Sequence, residues 1–125
     1  MDPAPTNILK AGQKLQAGEC LKAANHSYYL IMQGDGNLVL YVGTHWVPKN
    51  AIWNSETGGK GQGPHYLAMQ GDGNLVVYDC YDQPTWDSKT YHKGAKGHWV
   101  VIQDDGNFVL YDGQNKPTWD SKTGR

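Results

Sequence analysis

A ten-residue pattern occurs three times in this chain and limits its possible folds more than any other feature. It reads MQGDGNLVLY at 32–41, MQGDGNLVVY at 69–78 and IQDDGNFVLY at 102–111. The three segments align without gaps, and each contains Gln-x-Asp-Gly-Asn-x-Val-x-Tyr. A pattern that recurs at this interval indicates a repeated architecture in which several copies share one core.

A tryptophan follows each copy of the motif. Trp53, Trp86 and Trp119 lie in the segments AIWNSET, PTWDSKT and PTWDSKT, and both intervals between them are 33 residues. The motif tyrosine precedes its tryptophan by 12 residues in the first copy and by 8 in the others, which places an insertion within 42–52. We predict a single domain over 1–125, with repeats at about 12–59, 60–92 and 93–125 and a variable loop at the insertion.

The apolar runs within each repeat are short and typical of β-strands. Val, Leu, Ile, Tyr and Trp dominate these runs, and Gly, Asp, Asn and Pro separate them. In the first repeat we predict strands near 18–22, 28–33, 37–42 and 51–57, with the same arrangement in the later repeats. Repeats this short cannot each enclose a core, so about twelve strands should form an all-β structure around a pseudo-threefold axis. The three recurring tryptophans would fill its centre, whereas Trp99 has no counterpart and no predicted place.

The Asp-Gly step inside each motif predicts a hairpin rather than a straight strand. In a straight strand Gln33 and Tyr41 would be about 26 Å apart, too far for one small ligand. A reversal at Asp35 would instead fold Gln33 back beside the strand that follows. Asn37, Val39 and Tyr41 share one face of that strand. The hairpin would therefore gather two amides, a carboxylate, an apolar patch and a phenol, which suit the hydroxyls of a pyranose.

A simpler interpretation is that Asp and Asn cap the turn while Gln and Tyr only cover surface. For Asp35, Gly36 and Asn37 alone, that interpretation is the better one. A turn requires neither Gln nor Tyr, however, and both recur at fixed offsets in all three copies. Their recurrence favours a binding role.

Composition and charge exclude several partners. The formal net charge is -1 and no Lys/Arg run is present, so nucleic acid is a poor candidate. No stretch approaches the ~20 apolar residues that cross a bilayer, so no membrane insertion is expected. Segment 1–10 lacks the apolar region of a signal peptide, which leaves a removed signal or a route without one. We expect an extracellular or secretion-associated protein.

The same residues argue against catalysis. Glycoside hydrolysis usually needs two carboxylates that flank the bond, and each motif supplies one. Asp104 adds a neighbour in one copy only, and Glu19 and Glu56 are not repeated. The histidines recur in no shared setting, and no Ser or Cys motif accompanies them, so we interpret them as ordinary polar residues. They are His26, His45, His65, His92 and His98. We expect no enzymatic activity, no cofactor and no metal.

In its motifs the chain resembles the bulb-type mannose-binding lectins, whose signature is three copies of Gln-x-Asp-x-Asn-x-Val-x-Tyr. The resemblance covers 7–123. It implies a β-prism of three four-stranded antiparallel sheets with pseudo-threefold symmetry, the β-prism II fold. It also implies a multivalent lectin that binds D-mannose and mannose-containing glycans without a metal. The implied carbohydrate-binding residues are Gln33, Asp35, Asn37, Val39, Tyr41, Gln70, Asp72, Asn74, Val76, Tyr78, Gln103, Asp105, Asn107, Val109 and Tyr111.

The resemblance further implies a role for each motif position. Asp and Asn contact the axial 2-hydroxyl that distinguishes mannose from glucose, and Gln holds the 3-hydroxyl. Tyr bonds the 4-hydroxyl, and Val packs on the C3/C4 side of the ring. Three weak, shallow sites would then act together on clustered glycans, which predicts agglutination or a role in defence.

The cysteines depart from the family pattern. Plant members commonly pair a Cys in the turn of the first motif with one at the start of the second repeat, where this chain has Gly36 and His65. Cys20 and Cys80 cannot inherit that disulfide. They form either one disulfide of their own or two thiols.

Assembly is expected only from the resemblance. Family members often dimerise by exchanging the C-terminal strand, here the segment 117–124, so a homodimer or higher oligomer is expected. The triplet at 25–27 is also a formal glycosylation acceptor. A rival interpretation is a structural or protein-binding β-prism of the defence or toxin type with vestigial sugar sites, in which the insertion at 42–52 would contact a protein.

Overall fold

The chain forms twelve short strands and one 3-10 helix within residues 6–125, the part that this computed structural model describes. The strands are β1 Ile8–Lys10, β2 Lys14–Gln16, β3 Cys20–Lys22, β4 Tyr28–Met32, β5 Leu38–Val42, β6 Ala51–Asn54, β7 Tyr66–Met69, β8 Leu75–Tyr78, β9 Pro84–Asp87, β10 Trp99–Ile102, β11 Phe108–Tyr111 and β12 Pro117–Asp120. The 3-10 helix, Pro48–Asn50, lies in the predicted insertion. Within this range no helix is long and apolar enough to cross a membrane.

The strands assemble into three antiparallel sheets of four. Sheet 1 has the order β3-β4-β5-β6, sheet 2 the order β2-β7-β8-β9 and sheet 3 the order β1-β10-β11-β12. Each sheet contains one copy of the motif, in the hairpin between its two central strands. The predicted all-β prism of three four-stranded sheets is therefore confirmed.

The origin of the first strand in each sheet differs from the prediction. We expected every repeat to supply its own four strands, and this is wrong for the second and third repeats. Their first strands, β2 and β1, come from the N-terminal segment, where they pair with β7 and β10. The physical reason is a six-residue spacing of Leu9, Leu15 and Leu21, which places one leucine in each of β1, β2 and β3. The first two leucines begin a Leu-x-Ala-Gly segment, which places a glycine between successive strands.

Each N-terminal strand points its central side chain into the shared core. Leu9, Leu15 and Leu21 are 5%, 5% and 3% exposed. Gly12 and Gly18 form the corners between these strands with φ of +90° and +86°, a region that glycine enters without steric cost. Three residues of strand and a glycine corner are thus enough to carry the chain from one sheet to the next.

The interior is an apolar cluster to which all three sheets contribute. Alternate positions of the central strands face inward and are fully buried, and they occur at matching places in each sheet. They are Leu30, Met32, Leu38, Leu40, Leu67, Met69, Leu75, Val77, Val100, Ile102, Phe108 and Leu110. No sheet could bury this face alone, which explains why three repeats share one core.

The three recurring tryptophans meet about the axis, as predicted. The ring centroids of Trp53, Trp86 and Trp119 lie 5.4, 5.6 and 5.6 Å apart, and the rings cross at 73–75° in edge-to-face contact. They pack against the apolar cluster, although each remains partly exposed. Trp119 belongs to β12, which pairs with β11 of the same chain. In this chain β12 therefore packs on its own core. An exchanged strand would occupy the same position in a second chain.

Each motif turn packs against the neighbouring sheet so closely that a side chain would not fit. A Cβ atom at Gly36 would lie 2.8 Å from His65 Cε1, and one at Gly73 would lie 2.7 Å from His98 Nε2. The third contact closes the ring, because a Cβ at Gly106 would lie 2.8 Å from Tyr28 Cε1. Gly36 and His65, the positions expected for the family disulfide, are therefore adjacent in space. A close packing contact stands where the family has its disulfide.

The interpretation of His65 and His98 as ordinary polar residues is wrong. They are 2% and 3% exposed, and they occupy equivalent places just before β7 and β10. Each Nε2 lies 2.6 Å from a backbone carbonyl oxygen, that of Lys60 or Lys93, so Nε2 carries the proton and donates. Both imidazoles are structural side chains that hold one repeat against another.

We predict that Gly73→Ala lowers the free energy of unfolding by about 2–4 kcal/mol. Alanine is strained in the left-handed backbone conformation of this position, and its Cβ would clash with His98. Gly71→Ala is the matched control, because a Cβ there meets nothing within 4 Å. Urea denaturation followed by tryptophan fluorescence measures both. Equal stability of the two variants would contradict the packing described above.

Candidate functional site

The motif forms the predicted hairpin turn. In the first copy Gly36 N donates to Gln33 O at 3.1 Å, and Gln33 N donates to Asn37 O at 3.0 Å. The Asp35 carboxylate caps the turn by accepting from Asn37 N at 2.9 Å. Sheets 2 and 3 repeat all three bonds within 0.2 Å. Asp therefore has the capping role of the simpler interpretation, and its second oxygen remains on the outer surface.

The hairpin brings the motif Gln and Tyr into contact on the outer face of each sheet. The Gln103 amide donates to the Tyr111 hydroxyl at 2.7 Å, and the same pair is hydrogen-bonded in the other two copies. In the second copy the Gln70 amide is best satisfied with its nitrogen toward Asp72. The amide nitrogen then donates to the Asp72 carboxylate at 3.2 Å, and the amide oxygen accepts from the Tyr78 hydroxyl. Three motif side chains thus form one polar network.

The motif Val lies beneath this polar network. Val39, Val76 and Val109 are each 3% exposed and project from the outer face of β5, β8 and β11, between the motif Asn and Tyr. Each copy is consequently a shallow site with an apolar base and a polar rim. All five positions predicted for each copy lie in one hairpin.

The motif Asn is bound into the scaffold. In the second copy Asn74 Oδ1 accepts from Ser88 Oγ and from Thr90 N, each at 3.2 Å. Asn74 Nδ2 donates to Asp87 Oδ2 at 2.9 Å, and Thr90 Oγ1 donates to Gly73 O at 2.6 Å. The third copy has the same network, formed by Asn107, Ser121, Thr123, Asp120 and Gly106. In these two copies one Nδ2 proton of the Asn makes no bond to the described part of the protein.

Solved structures of the same architecture exist. A monomeric mannose-binding lectin from the monocot Gastrodia elata superposes with a TM-score of 0.83 and is 38% identical, with 96% of this chain and 100% of that chain covered. The chain belongs to the monocot mannose-binding lectin family. The snowdrop (Galanthus nivalis) agglutinin, solved with methyl-α-D-mannoside, is 37% identical at a TM-score of 0.73 and covers 95% of this lectin and 98% of its own chain.

A curated relative outside plants matches part of the lectin. Comitin from Dictyostelium discoideum is 39% identical over 61 residues, which are 46% of this chain. The match spans 33% of comitin's length. No protein-family model matches the chain. The solved neighbours are lectins, and no catalytic family is indicated among them.

The residues that bind the motif Asn were missed by the sequence analysis. Each repeat of the lectin has the pattern Trp-x-Ser-x-Thr, with its serine at Ser55, Ser88 or Ser121. The sequence prediction used only the tryptophan of this pattern. The serine and threonine hydroxyls lie 2.6–2.7 Å apart in all three copies. Their fixed spacing behind the tryptophan was the available signal. The predicted fourth strand ends early for the same reason, since β6 stops at Asn54 and the next residues turn back to the motif.

The three candidate sites of the lectin are not identical. Where the second and third copies have Asp87 and Asp120, the first has Asn54, whose Oδ1 accepts from Glu56 N at 2.7 Å. Asn37 keeps its bonds to Ser55 and Thr57 but has no carboxylate at that position. The prediction of one carboxylate per site is therefore incomplete, because Asp87 and Asp120 each add a second one next to the motif Asn.

The apolar base also differs from site to site. Beside the motif Val, the first site has Ile31 and Cys20, whereas the equivalent residues of the second site are Ala68 and Lys14.

Burial raises the pKa of the Cys20 thiol. Cys20 and Cys80 are both free thiols, so the disulfide considered from the sequence does not form.

The second site opens into a cleft of about 640 Å³ that reaches beyond the motif. Lys14 Nζ lies 4.7 Å from the centroid of the Tyr66 ring, and the Tyr66 hydroxyl donates to Asp82 Oδ1 at 2.7 Å. Burial and the adjacent Asp82 carboxylate raise the pKa of Tyr66 to about 12. The phenol therefore stays protonated and acts as a donor at neutral pH.

Between residues 6 and 125 no three His, Cys, Asp or Glu side chains are grouped to hold a metal ion. Two further carboxylates, Asp79 and Asp112, are occupied by backbone N–H groups, chiefly those of Gln83 and Ala95, which lower the pKa of each carboxyl. They fix the loops at the far end of β8 and β11.

Thr90→Val should lower the free energy of unfolding by about 1–3 kcal/mol, because it leaves the buried Gly73 carbonyl without its donor. Thr85→Val is the control, since Thr85 Oγ1 makes only a 3.3 Å bond to Val77 O in a more exposed strand. Chemical denaturation compares them, and the Asn74 side-chain amide in an NMR spectrum reports the local change. A neutral Thr90→Val would show that the network does not support the site.

Proposed function

We propose that the protein is a metal-independent, multivalent lectin that binds mannose and mannose-containing glycans at three sites. The observation that carries the proposal is the Gln–Tyr pair above a buried Val, with Asp and Asn at its edge, in all three hairpins. These groups offer amide donors, a carboxylate acceptor and a phenol around an apolar patch, the inventory that vicinal hydroxyls and the C–H face of a pyranose require.

The roles proposed for the motif follow the family. The Asp oxygen that does not cap the turn and the free Nδ2 proton of Asn are proposed to bind the 2-hydroxyl of mannose. Gln and Tyr are proposed to bind the 3- and 4-hydroxyls, and Val to pack on the C3/C4 side. The snowdrop agglutinin complexed with methyl-α-D-mannoside, at 37% identity, supports this ligand class.

Weak sites that act together are the proposed mechanism. A shallow site with a few hydrogen bonds, each worth about 0.5–3 kcal/mol net, should bind a monosaccharide with millimolar affinity. Three sites on one chain raise the avidity for clustered glycans by about 100-fold or more when geometry allows simultaneous binding. Agglutination of mannose-bearing cells and a part in defence follow from this multivalency, and dimer formation would double the number of sites.

Two rival functions, a glycosidase and a protein-binding prism, have less support than the lectin. A glycosidase would need the second carboxylate as an acid or base, but Asp87 and Asp120 are each bonded to the motif Asn. A protein-binding prism with vestigial sugar sites would keep the fold without needing the Gln–Tyr pair. That pair is retained in all three copies, which favours the lectin.

We predict that the folded protein is retained on immobilised mannose and elutes with free mannose. Retention should persist in a chelator, since no metal enters the proposed site. Galactose at the same concentration should elute little, because its 2-hydroxyl is equatorial and its 4-hydroxyl axial, the reverse of mannose at both positions. Passage of the folded protein through the column would remove the lectin proposal in favour of the vestigial-site alternative.

Removing the motif tyrosine hydroxyls should abolish retention while leaving the fold intact. Tyr41→Phe, Tyr78→Phe and Tyr111→Phe together delete one hydrogen bond per site, which should weaken each site about 5- to 20-fold. Tyr81→Phe is the matched control, because Tyr81 is 71% exposed and lies outside the motif. Single variants, measured by calorimetry, test whether the sites are equivalent. The triple variant is preferred to replacement of Asn, whose side chain also supports the turn.

A further inference from the structure

Trp46 is an exposed aromatic side chain at the edge of the first site. It belongs to the insertion within 42–52, which the second and third repeats lack, and it is 46% exposed. Its ring nevertheless packs on Tyr29, with centroids 5.4 Å apart and the planes tilted by 56°. An indole held in place while nearly half its surface faces water is the arrangement expected of a contact residue.

The loop that carries Trp46 is held by its own hydrogen bonds. Asn50 Nδ2 donates to His45 O at 2.8 Å, and Val47 N donates to the same carbonyl at 3.1 Å. Asn50 N also donates to Val47 O at 2.9 Å, which closes the short 3-10 turn that starts at Pro48. Trp46 is therefore positioned before any ligand arrives, and little conformational entropy is lost when it binds.

The Trp46 ring is continuous with the first site. Tyr29 is the cross-strand partner of Tyr41, and both project from the outer face of sheet 1. In the other two sites the equivalent cross-strand partners are stacked rings, Tyr66 on Tyr78 and Trp99 on Tyr111, at 5.3 and 4.9 Å. Among residues 6–125, sheet 1 alone has a further ring, Trp46, packed against one of these partners, at the Tyr end of the site.

We propose that Trp46 forms a second sugar subsite, which stacks on the residue next to a mannose bound in the first site. The inference rests on the proposed function, because the first residue must occupy the Gln–Tyr pair. The class of ligand is a neutral manno-oligosaccharide of two or more pyranose units. The face of an aromatic ring is electron-rich and suits the C–H face of a pyranose, while the indole N–H adds one donor for a hydroxyl.

The subsite makes the first site different in kind from the other two. A monosaccharide fills the motif and does not reach Trp46, whereas a longer glycan contacts both. The first site should therefore prefer oligosaccharides over methyl-α-mannoside more strongly than the second and third sites do. One chain would thus combine two sites for terminal mannose with one that reads the residue behind it.

The test uses the full chain with only the first site active. Gln70→Ala with Tyr78→Phe and Gln103→Ala with Tyr111→Phe disable the second and third sites. Methyl-α-mannoside and an α-linked mannotriose are then titrated, and the Trp46 indole N–H is followed by NMR. Trp46→Ala in this background should weaken mannotriose about 5- to 10-fold and change methyl-α-mannoside by less than about twofold.

Two control variants accompany Trp46→Ala. Trp46→Phe keeps a ring and should recover most of the preference for mannotriose. Tyr91→Ala removes another exposed aromatic, which is 60% exposed and stacked on His92 outside the three motifs, and should change the affinity for neither ligand. Thermal denaturation should show that all three variants fold.

Each outcome has a distinct meaning. If methyl-α-mannoside does not bind the first site, the proposed function fails. If it binds and Trp46→Ala leaves the affinity ratio of the two ligands unchanged, the second subsite is overturned while the lectin stands, and Trp46 is left as a protein contact. An equal loss for both ligands would also overturn it, because Trp46 would then belong to the first subsite.

Discussion

The close contact between each motif turn and the neighbouring sheet is the constraint on which the rest of the molecule depends. Gly36, Gly73 and Gly106 sit in a left-handed conformation with no space for a Cβ atom, each under a side chain of the adjacent sheet. The contacts run around the axis in one direction and close on themselves. Because the same turn presents the motif side chains outward, the packing that joins the sheets also fixes the geometry of the sites.

Local patterns predicted the local structure well. Alternation and the Asp-Gly step placed the strands of the first repeat to within three residues, and the spacing of Trp53, Trp86 and Trp119 indicated their meeting at the axis. The pairing of β1 with β10 joins residues far apart in sequence, and the six-residue spacing of the leucines in β1, β2 and β3 does not indicate which strand each will pair with. His65 and His98 were misread because their burial depends on a glycine in another repeat.

The site was predictable in its positions but only partly in its roles. The motif gathers as expected, because a hairpin of this length brings its Gln and Tyr together. The Asn is different, since its hydrogen bonds to Ser88, Thr90 and Asp87 give it a role in the fold beside the binding role that is proposed for it. A residue can recur in every repeat because it supports the fold or because it binds a ligand, so recurrence alone could not distinguish the two roles.

The N-terminal origin of β1, β2 and β3 bears on how the chain reaches its fold. β1 pairs with β10, which lies two repeats further along the chain and is synthesised long after it. Until then sheet 3 does not exist, and the side of the core that it covers stays open to water. Long-range pairing of this kind folds slowly and leaves strand edges unprotected in the meantime. Synthesis of the third repeat therefore allows the three-sheet prism to close.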